Sequence, residues 1–180
     1  MSEKIEFVLD GKTVYADKGQ SIWEVANGQG LKIPHLCHKP KPGYRPDGNC
    51  RACMVEIEGE RTLAASCIRE PQQGMVVNSA SLRAEAARKM VVEMIVTDQP
   101  LREEAHDKSS HFWDMVDLSD VQKSRLPRLD QDRVPLLDDS HVAMSVSLDA
   151  CIQCGLCVRA CREVQVNDVI GMSGLSLIHI

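Results

Sequence analysis

The chain is poor in aromatic residues: Phe, Trp and Tyr together make up 3% of its 180 positions. A core built from such a chain rests on Val, Leu, Ile, Met and Ala, and it is modest in size. No apolar run approaches the ~20 residues that a membrane helix needs, so no membrane span is expected. The opening Met1 to Phe7 lacks the basic-then-apolar layout of a secretory signal, and the expected location is the cytoplasm. Basic residues are outnumbered, with a formal net charge of −5, and they are scattered along the chain. Nothing favours binding to a phosphate backbone, and a nucleic-acid role is not expected. No glycine-rich nucleotide loop and no Ser/His/Asp grouping can be assembled, so no catalytic residue is assigned. At roughly 100 to 200 residues per domain, the length allows one ordinary domain or two small ones.

What the chain does hold is eight cysteines. Cys37, Cys50, Cys53 and Cys67 form one group, Cys151, Cys154, Cys157 and Cys161 another, and no cysteine lies between them. In a reducing compartment such cysteines are more often metal ligands or catalytic groups than disulfides. Two metal regions are therefore expected.

The spacing predicts an α+β unit over residues 1–79. Alternating Ile5, Phe7 and Leu9, the turn pair Asp10-Gly11 and a second strand around Val14 give a hairpin signal. Ser21 and Glu24 have capping-box spacing, and Ile22, Val25 and Ala26 form the apolar face of a short helix ending near Gly28. A loop rich in Pro, Gly and Lys runs from Pro34 to Asn49; strands are expected at Met54 to Ile57, Arg61 to Leu63 and Met75 to Val77. Four or five short strands with one helix match the composition of a β-grasp unit. Residues 80–145 read as a helix and a polar connector. The helix covers Ser81 to Thr97, with Leu82, Ala86, Met90 and Met94 beside Ala87, Val91 and Ile95 on its apolar face, and with Met90 and Met94 as core contacts. The connector has a solvated acidic surface at Asp114, Asp117, Asp120, Asp130, Asp132, Asp138 and Asp139, and His106 and His111 are expected to be solvated. Residues 146–180 carry the second cysteine group.

In the first group the close pair sits in Asp47-Gly-Asn-Cys50-Arg-Ala-Cys53, a loop whose small side chains let backbone N–H groups point at inorganic sulfide. Four thiolates there suit a 2Fe–2S cluster. The alternative is a structural zinc site, although zinc ribbons usually offer two close cysteine pairs and this group has one. His35 and His38 flank Cys37 and are expected to pack or hydrogen-bond near the metal rather than bind it. The second group has the x2, x2, x3 spacing of bacterial ferredoxins, in which three cysteines bind one 4Fe–4S cluster and the fourth ligates another. Position 162 is Arg where that pattern usually has Pro. No further cysteine run follows, so the ligand set for 4Fe–4S clusters is incomplete in this chain.

The run Ile33-Pro-His-Leu-Cys37, then Asp47-Gly-Asn-Cys50-Arg-Ala-Cys53-Met-Val-Glu-Ile-Glu-Gly and Ser66-Cys67, resembles the 2Fe–2S domain that opens the large iron–sulfur subunit of complex I and its relatives. With Ser21-Ile-Trp-Glu-Val-Ala26, Cys151 to Arg162 and Gln165-Val-Asn-Asp-Val-Ile-Gly171, the chain is most similar to the alpha subunit of soluble NAD-dependent, molybdenum-containing formate dehydrogenase. The resemblance covers nearly the whole chain but only the N-terminal part of that subunit. It implies that Cys37, Cys50, Cys53 and Cys67 hold 2Fe–2S and that Cys151, Cys154, Cys157 and Cys161 belong to a partial two-cluster ferredoxin-like domain with 4Fe–4S clusters. It further implies electron relay between a molybdopterin domain lying beyond Ile180 and a flavin- and NAD-binding partner subunit. An equivalent module of an NAD-reducing hydrogenase or NADH:quinone oxidoreductase is the alternative, with a zinc-bound structural module behind it. Many relatives carry a His-plus-three-Cys cluster just after the helix matching 81–97; here Asp98 to Phe112 contains no cysteine, and that cluster is not expected.

Overall fold

The hairpin forms where its turn chemistry allows it. In the computed structural model, which describes residues 4–121, 123–128, 137–173 and 176–179, strands β1 (Ile5–Leu9) and β2 (Lys12–Ala16) pair antiparallel with Phe7 opposite Val14. Asp10 and Gly11 both take positive φ, 49° and 77°. This is the twist that a two-residue hairpin requires, and Asp and Gly tolerate it better than other residues. Helix α1 (Ile22–Gly28) starts at a reciprocal cap: Glu24 N–H donates to Ser21 Oγ, while Ser21 N–H donates to the Glu24 carboxylate.

Strands β3 (Met54–Ile57), β4 (Ala64–Ala65) and β5 (Val76–Asn78) complete a five-stranded sheet in the order β2-β1-β5-β3-β4. The β1–β5 pair is parallel, with Leu9 opposite Val77, and the other pairs are antiparallel. The fold is a mixed α/β arrangement. One expected strand is displaced: Arg61 to Leu63 stay outside the sheet, and the pairing falls on Ala64 and Ala65, opposite Val55 and Met54. Small residues there let the strand run directly into Ser66 and Cys67. The core gathers Phe7, Leu9, Ile22, Trp23, Val55, Ile57 and Val77, and Cys53 and Cys67 belong to the same apolar cluster.

The chain divides into two units, residues 1–38 with 46–91 and residues 39–45 with 92–180. Helix α2 (Leu82–Asp98) supplies residues to both. Its buried face differs from the expected one: Ala84, Arg88, Val92, Glu93 and Thr97 are buried, while Leu82, Met90 and Met94 are exposed. Apolar side chains occur on every side of this helix, so periodicity alone did not select a face. Two charged residues turn inward because each finds partners. Arg88 donates to the carbonyls of Met54 and Ser79, and the Glu93 carboxylate accepts from the Arg125 guanidinium and backbone N–H.

The second unit contains more structure than a connector. Helix α3 (His111–Leu118) buries Phe112, Trp113, Met115 and Val116, and the Arg102 guanidinium lies 5.5 Å above the Trp113 ring while pairing with Asp117 at 2.7 Å. The acids Asp114, Asp117, Asp120 and Asp139 are exposed and Asp138 is half-buried; Asp130 and Asp132 lie outside the described residues. His106 and His111 are exposed, as expected. Two hairpins were not anticipated: β6 (Asp138–His141) with β7 (Met144–Val146), and β8 (Ile170–Ser173) with β9 (Ser176–His179). Helix α4 (Leu156–Arg159) continues into a π-helical turn over Ala160–Val164. Among the described residues no helix is long and apolar enough to cross a membrane.

The Asp10 carboxylate ties the hairpin turn to the end of β5, accepting from Ser79 N–H and Ser79 Oγ–H at 2.6 Å each. Asp10→Ala removes both bonds and puts a less tolerant residue at positive φ, so a loss of about 2 kcal/mol of stability is expected. Asp10→Asn keeps an acceptor and the turn preference and should lose less than half of that. Denaturant midpoints of the two variants and the wild type check this; equal midpoints would show that the tie contributes nothing.

Candidate metal centre

The first four cysteines come together because three structural features end at one place. Cys37 closes the segment after α1, where Trp23 Nε1–H donates to the Ile33 carbonyl at 3.1 Å and fixes the approach. Cys50 and Cys53 precede β3, and Cys67 follows β4, so the β3–β4 pairing brings the last two ligands side by side. Cys37, Cys53 and Cys67 are at most 1% exposed, and Cys50 is half-buried. None forms a disulfide.

The sulfurs are arranged as two pairs. Cys37 N–H donates to Cys50 Sγ at 3.5 Å, and Cys50 N–H donates to Cys37 Sγ at 3.4 Å. Further N–H groups from Leu36 and Ala52 point at Cys50, and one from Asn49 points at Cys37. Within each pair one thiol is held below its ordinary pKa and the other is pushed up. The hydrogen bond from Cys37 lowers Cys50, and the hydrogen bond from Cys67 lowers Cys53, both against the opposing effect of burial. Cys37 and Cys67 rise, first through those same hydrogen bonds and then through burial.

Arg51 takes a left-handed φ of 58°, which turns the backbone between the two close ligands. Ser66 Oγ–H donates to the Cys53 carbonyl at 2.7 Å and is fully buried. The donor set fits a 2Fe–2S cluster: four soft thiolates, two for each iron, with backbone N–H groups aimed at sulfur. A structural zinc ion needs four donors around one point. Here the sulfurs fall into two pairs, Cys37 with Cys50 and Cys53 with Cys67. His35 and His38 pack as expected, their rings 4.6 and 4.7 Å from the Trp23 ring.

The second group is more open. Cys157 is exposed, while Cys151, Cys154 and Cys161 are half-buried. Burial pushes the Cys154 and Cys157 thiols up, and Cys154 also feels Cys157 and Cys151. These three are near one another. The Cys161 sulfur instead accepts from Val169 N–H at 3.4 Å. Left-handed Gln153 and Gly155, with φ of 53° and 71°, bend the loop around Cys154 ahead of α4. The π-helical turn that carries Cys161 closes with Gln165 N–H donating to Ala160 O at 2.9 Å. A cavity of about 230 Å³ beside Cys157 is lined by Lys39, Lys41, Tyr44, Leu156 and Ala160. Arg159 donates to the Arg45 carbonyl, and Arg45 pairs with Glu163 at 3.3 Å, which fixes the 39–45 loop beside α4. Nothing local in the Pro-, Gly- and Lys-rich stretch from Pro34 to Asn49 marks it for this place.

Gly48 sits at φ +66° two residues before Cys50, and a Cβ there would lie 2.8 Å from Ile68 Cδ1. Ile68 is 47% exposed and can swing away, so the backbone angle rather than the clash is the obstacle to Ala. Gly48→Ala should destabilise the first unit by about 1 kcal/mol. Adding Ile68→Ala should not restore the denaturant midpoint; full restoration would show that the clash dominates.

Comparison with known proteins agrees with this donor set. Residues 2–81 match the 2Fe-2S iron-sulfur cluster binding domain family. The chain is 30% identical to the mitochondrial NADH-ubiquinone oxidoreductase 78 kDa subunit of Candida albicans, over 95% of this chain and 24% of that protein. It is 29% identical to the NADP-reducing hydrogenase subunit HndD of Solidesulfovibrio fructosivorans, over 92% of this chain and 29% of that one. It therefore spans about a quarter of the length of these curated relatives. A chain from the crystal structure of an NAD+-reducing NiFe-hydrogenase in the H2-reduced state superposes with a TM-score of 0.82 at 29% identity, covering 97% of this chain and 74% of that one. Residues 2–81 are thus similar to 2Fe-2S iron-sulfur cluster binding domains, and the chain as a whole is similar to subunits of NADH-ubiquinone oxidoreductases and of NAD(P)-reducing hydrogenases.

Proposed function

We propose that the chain is an iron–sulfur electron-transfer module of a NADH-quinone oxidoreductase or NAD-reducing hydrogenase type of assembly. The paired arrangement of four cysteines, three of them buried, within a matched 2Fe–2S domain carries this reading. The relatives support these assemblies better than the formate dehydrogenase that the sequence motifs favoured. Molybdopterin, formate and a specific flavin- or NAD-binding partner have no support in these residues.

On this reading residues 1–79 form a β-grasp domain in which Cys37, Cys50, Cys53 and Cys67 hold 2Fe–2S, and bound there the cluster supplies one-electron redox chemistry. The protein's part is to bind, to exclude water and to set the potential. Sheet and helix keep three of the sulfurs dry. The backbone N–H groups around Cys37 and Cys50 stabilise negative charge on sulfur, a lever that moves reduction potential. Cys151, Cys154 and Cys157, which lie near one another, would be three ligands of a 4Fe–4S site, and Cys161, whose sulfur accepts from Val169 N–H, a ligand to another. Loading of the second group in this chain is expected to be incomplete, because three thiolates do not close a four-iron cluster.

Anaerobic reconstitution followed by iron, sulfide and zinc analysis tests this. About two irons and about two sulfides per chain are expected, with a rhombic EPR signal after dithionite reduction. Cys50→Ser and Cys53→Ser should each abolish that signal, whereas His106→Ala and His111→Ala, both at exposed positions, should leave iron content unchanged. Stoichiometric zinc without sulfide would replace the relay by a structural module.

A further inference from the structure

Among the described residues, Arg88 is a buried cation with no carboxylate within hydrogen-bonding distance. It is 9% exposed, on the inward face of α2. Among the described residues its hydrogen bonds go to carbonyl oxygens, Met54 O at 2.9 Å and Ser79 O at 2.6 Å. Met54 is the residue immediately after Cys53. Arg88 therefore grips the Met54–Val55 peptide, the unit that follows directly on Cys53 of the candidate centre. From the other side, the Cys53 carbonyl is held by Ser66 Oγ at 2.7 Å and Ser66 N–H at 3.1 Å.

A buried guanidinium is expensive to desolvate unless something nearby returns the energy. Two carbonyls accept from its Nη1, but neither carries a charge to set against its own. Burial alone lowers the Arg88 pKa, and Glu85, Asp10 and the Cys53 sulfur act against that. The Cys53 sulfur is thus within reach of the Arg88 field, inside a low-dielectric region where charge interactions are strong. If Arg88 served only to fasten α2 to β3, a neutral donor such as Gln would meet the two carbonyls at a lower desolvation penalty.

We propose that Arg88 sets the reduction potential of the 2Fe–2S centre, its fixed positive charge favouring the reduced state. This inference rests on the assignment of Cys37, Cys50, Cys53 and Cys67 to that centre. The sign follows from charge. One-electron reduction makes the centre more negative by one unit, so a buried cation stabilises the reduced form more than the oxidised form and raises the potential. Arg88 acts at a distance, through its field and through its hold on the Met54–Val55 peptide that follows Cys53; among the described residues it makes no hydrogen bond to a ligand sulfur.

The test is an EPR-monitored redox titration of the reconstituted full chain and of three variants. Arg88→Gln keeps a hydrogen-bond donor without charge, Arg88→Met keeps the length without either, and Arg88→Lys keeps the charge. Gln and Met should both shift the midpoint to more negative values, and Lys should stay near the wild type. Gln and Met variants that hold the cluster at the wild-type potential would overturn the inference, because a purely structural role moves stability and leaves potential alone. If Gln and Met fail to load iron, Lys decides. A loaded Lys variant near the wild-type potential supports the charge, and one that is displaced, or that also fails to load, makes Arg88 a folding residue and overturns the inference. A wild-type protein without a 2Fe–2S signal would instead remove the functional reading on which this rests.

Discussion

Keeping four thiols together, three of them in a dry interior, is the constraint on which the first unit depends. An ionised thiolate in an apolar core is unfavourable unless positive charge or N–H dipoles face it. The chain answers with geometry. The β3–β4 pairing sets Cys53 and Cys67 next to each other, a left-handed residue at Arg51 turns the backbone between Cys50 and Cys53, and N–H groups point at sulfur. Because Cys53 and Cys67 are also part of the apolar core, a cluster held there would stabilise the region that folding buries.

The same economy recurs with charged side chains. A chain with 3% aromatics has few large apolar groups to fill space, and both units use buried polar anchors. Arg88 spans two carbonyls, Glu93 takes a bidentate grip from Arg125, and buried Arg159 holds the carbonyl of Arg45. Each anchor fixes one geometry, because a displaced buried charge loses its compensation. Those anchors give a small core a specific arrangement of segments that apolar contacts would define less sharply.

Local rules were legible where a single chemistry dominates. Asp10-Gly11 announced the hairpin, and Ser21 with Glu24 announced the helix start. The cysteine spacings separated the two groups, and the pairing of Cys37 with Cys50 and of Cys53 with Cys67 came from the fold. Legibility failed on α2, where Leu82, Met90 and Met94 suggested an inward face and Ala84, Arg88 and Val92 occupy it. A charged residue can be buried when distant carbonyls receive it, and no local pattern carries that information. The hairpins at 138–146 and 170–179 were missed for a related reason: segments such as Asp138-Asp-Ser-His141 lack the β-branched and aromatic enrichment that marks a strand. The motif-level likeness to formate dehydrogenase also went further than the relatives support, since ligand motifs recur across electron-relay subunits whose catalytic partners differ.

The central claim is that the first cysteine group holds two irons, each by a pair of thiolates, rather than one ion by four. Mössbauer spectroscopy of the iron-reconstituted chain tests it most directly. Two sulfur-ligated sites of equal area are predicted, with the added electron localised on one of them after one-electron reduction. A single ferrous or ferric site at the first group, lost on Cys50→Ser and equally on Cys67→Ser, would contradict the account.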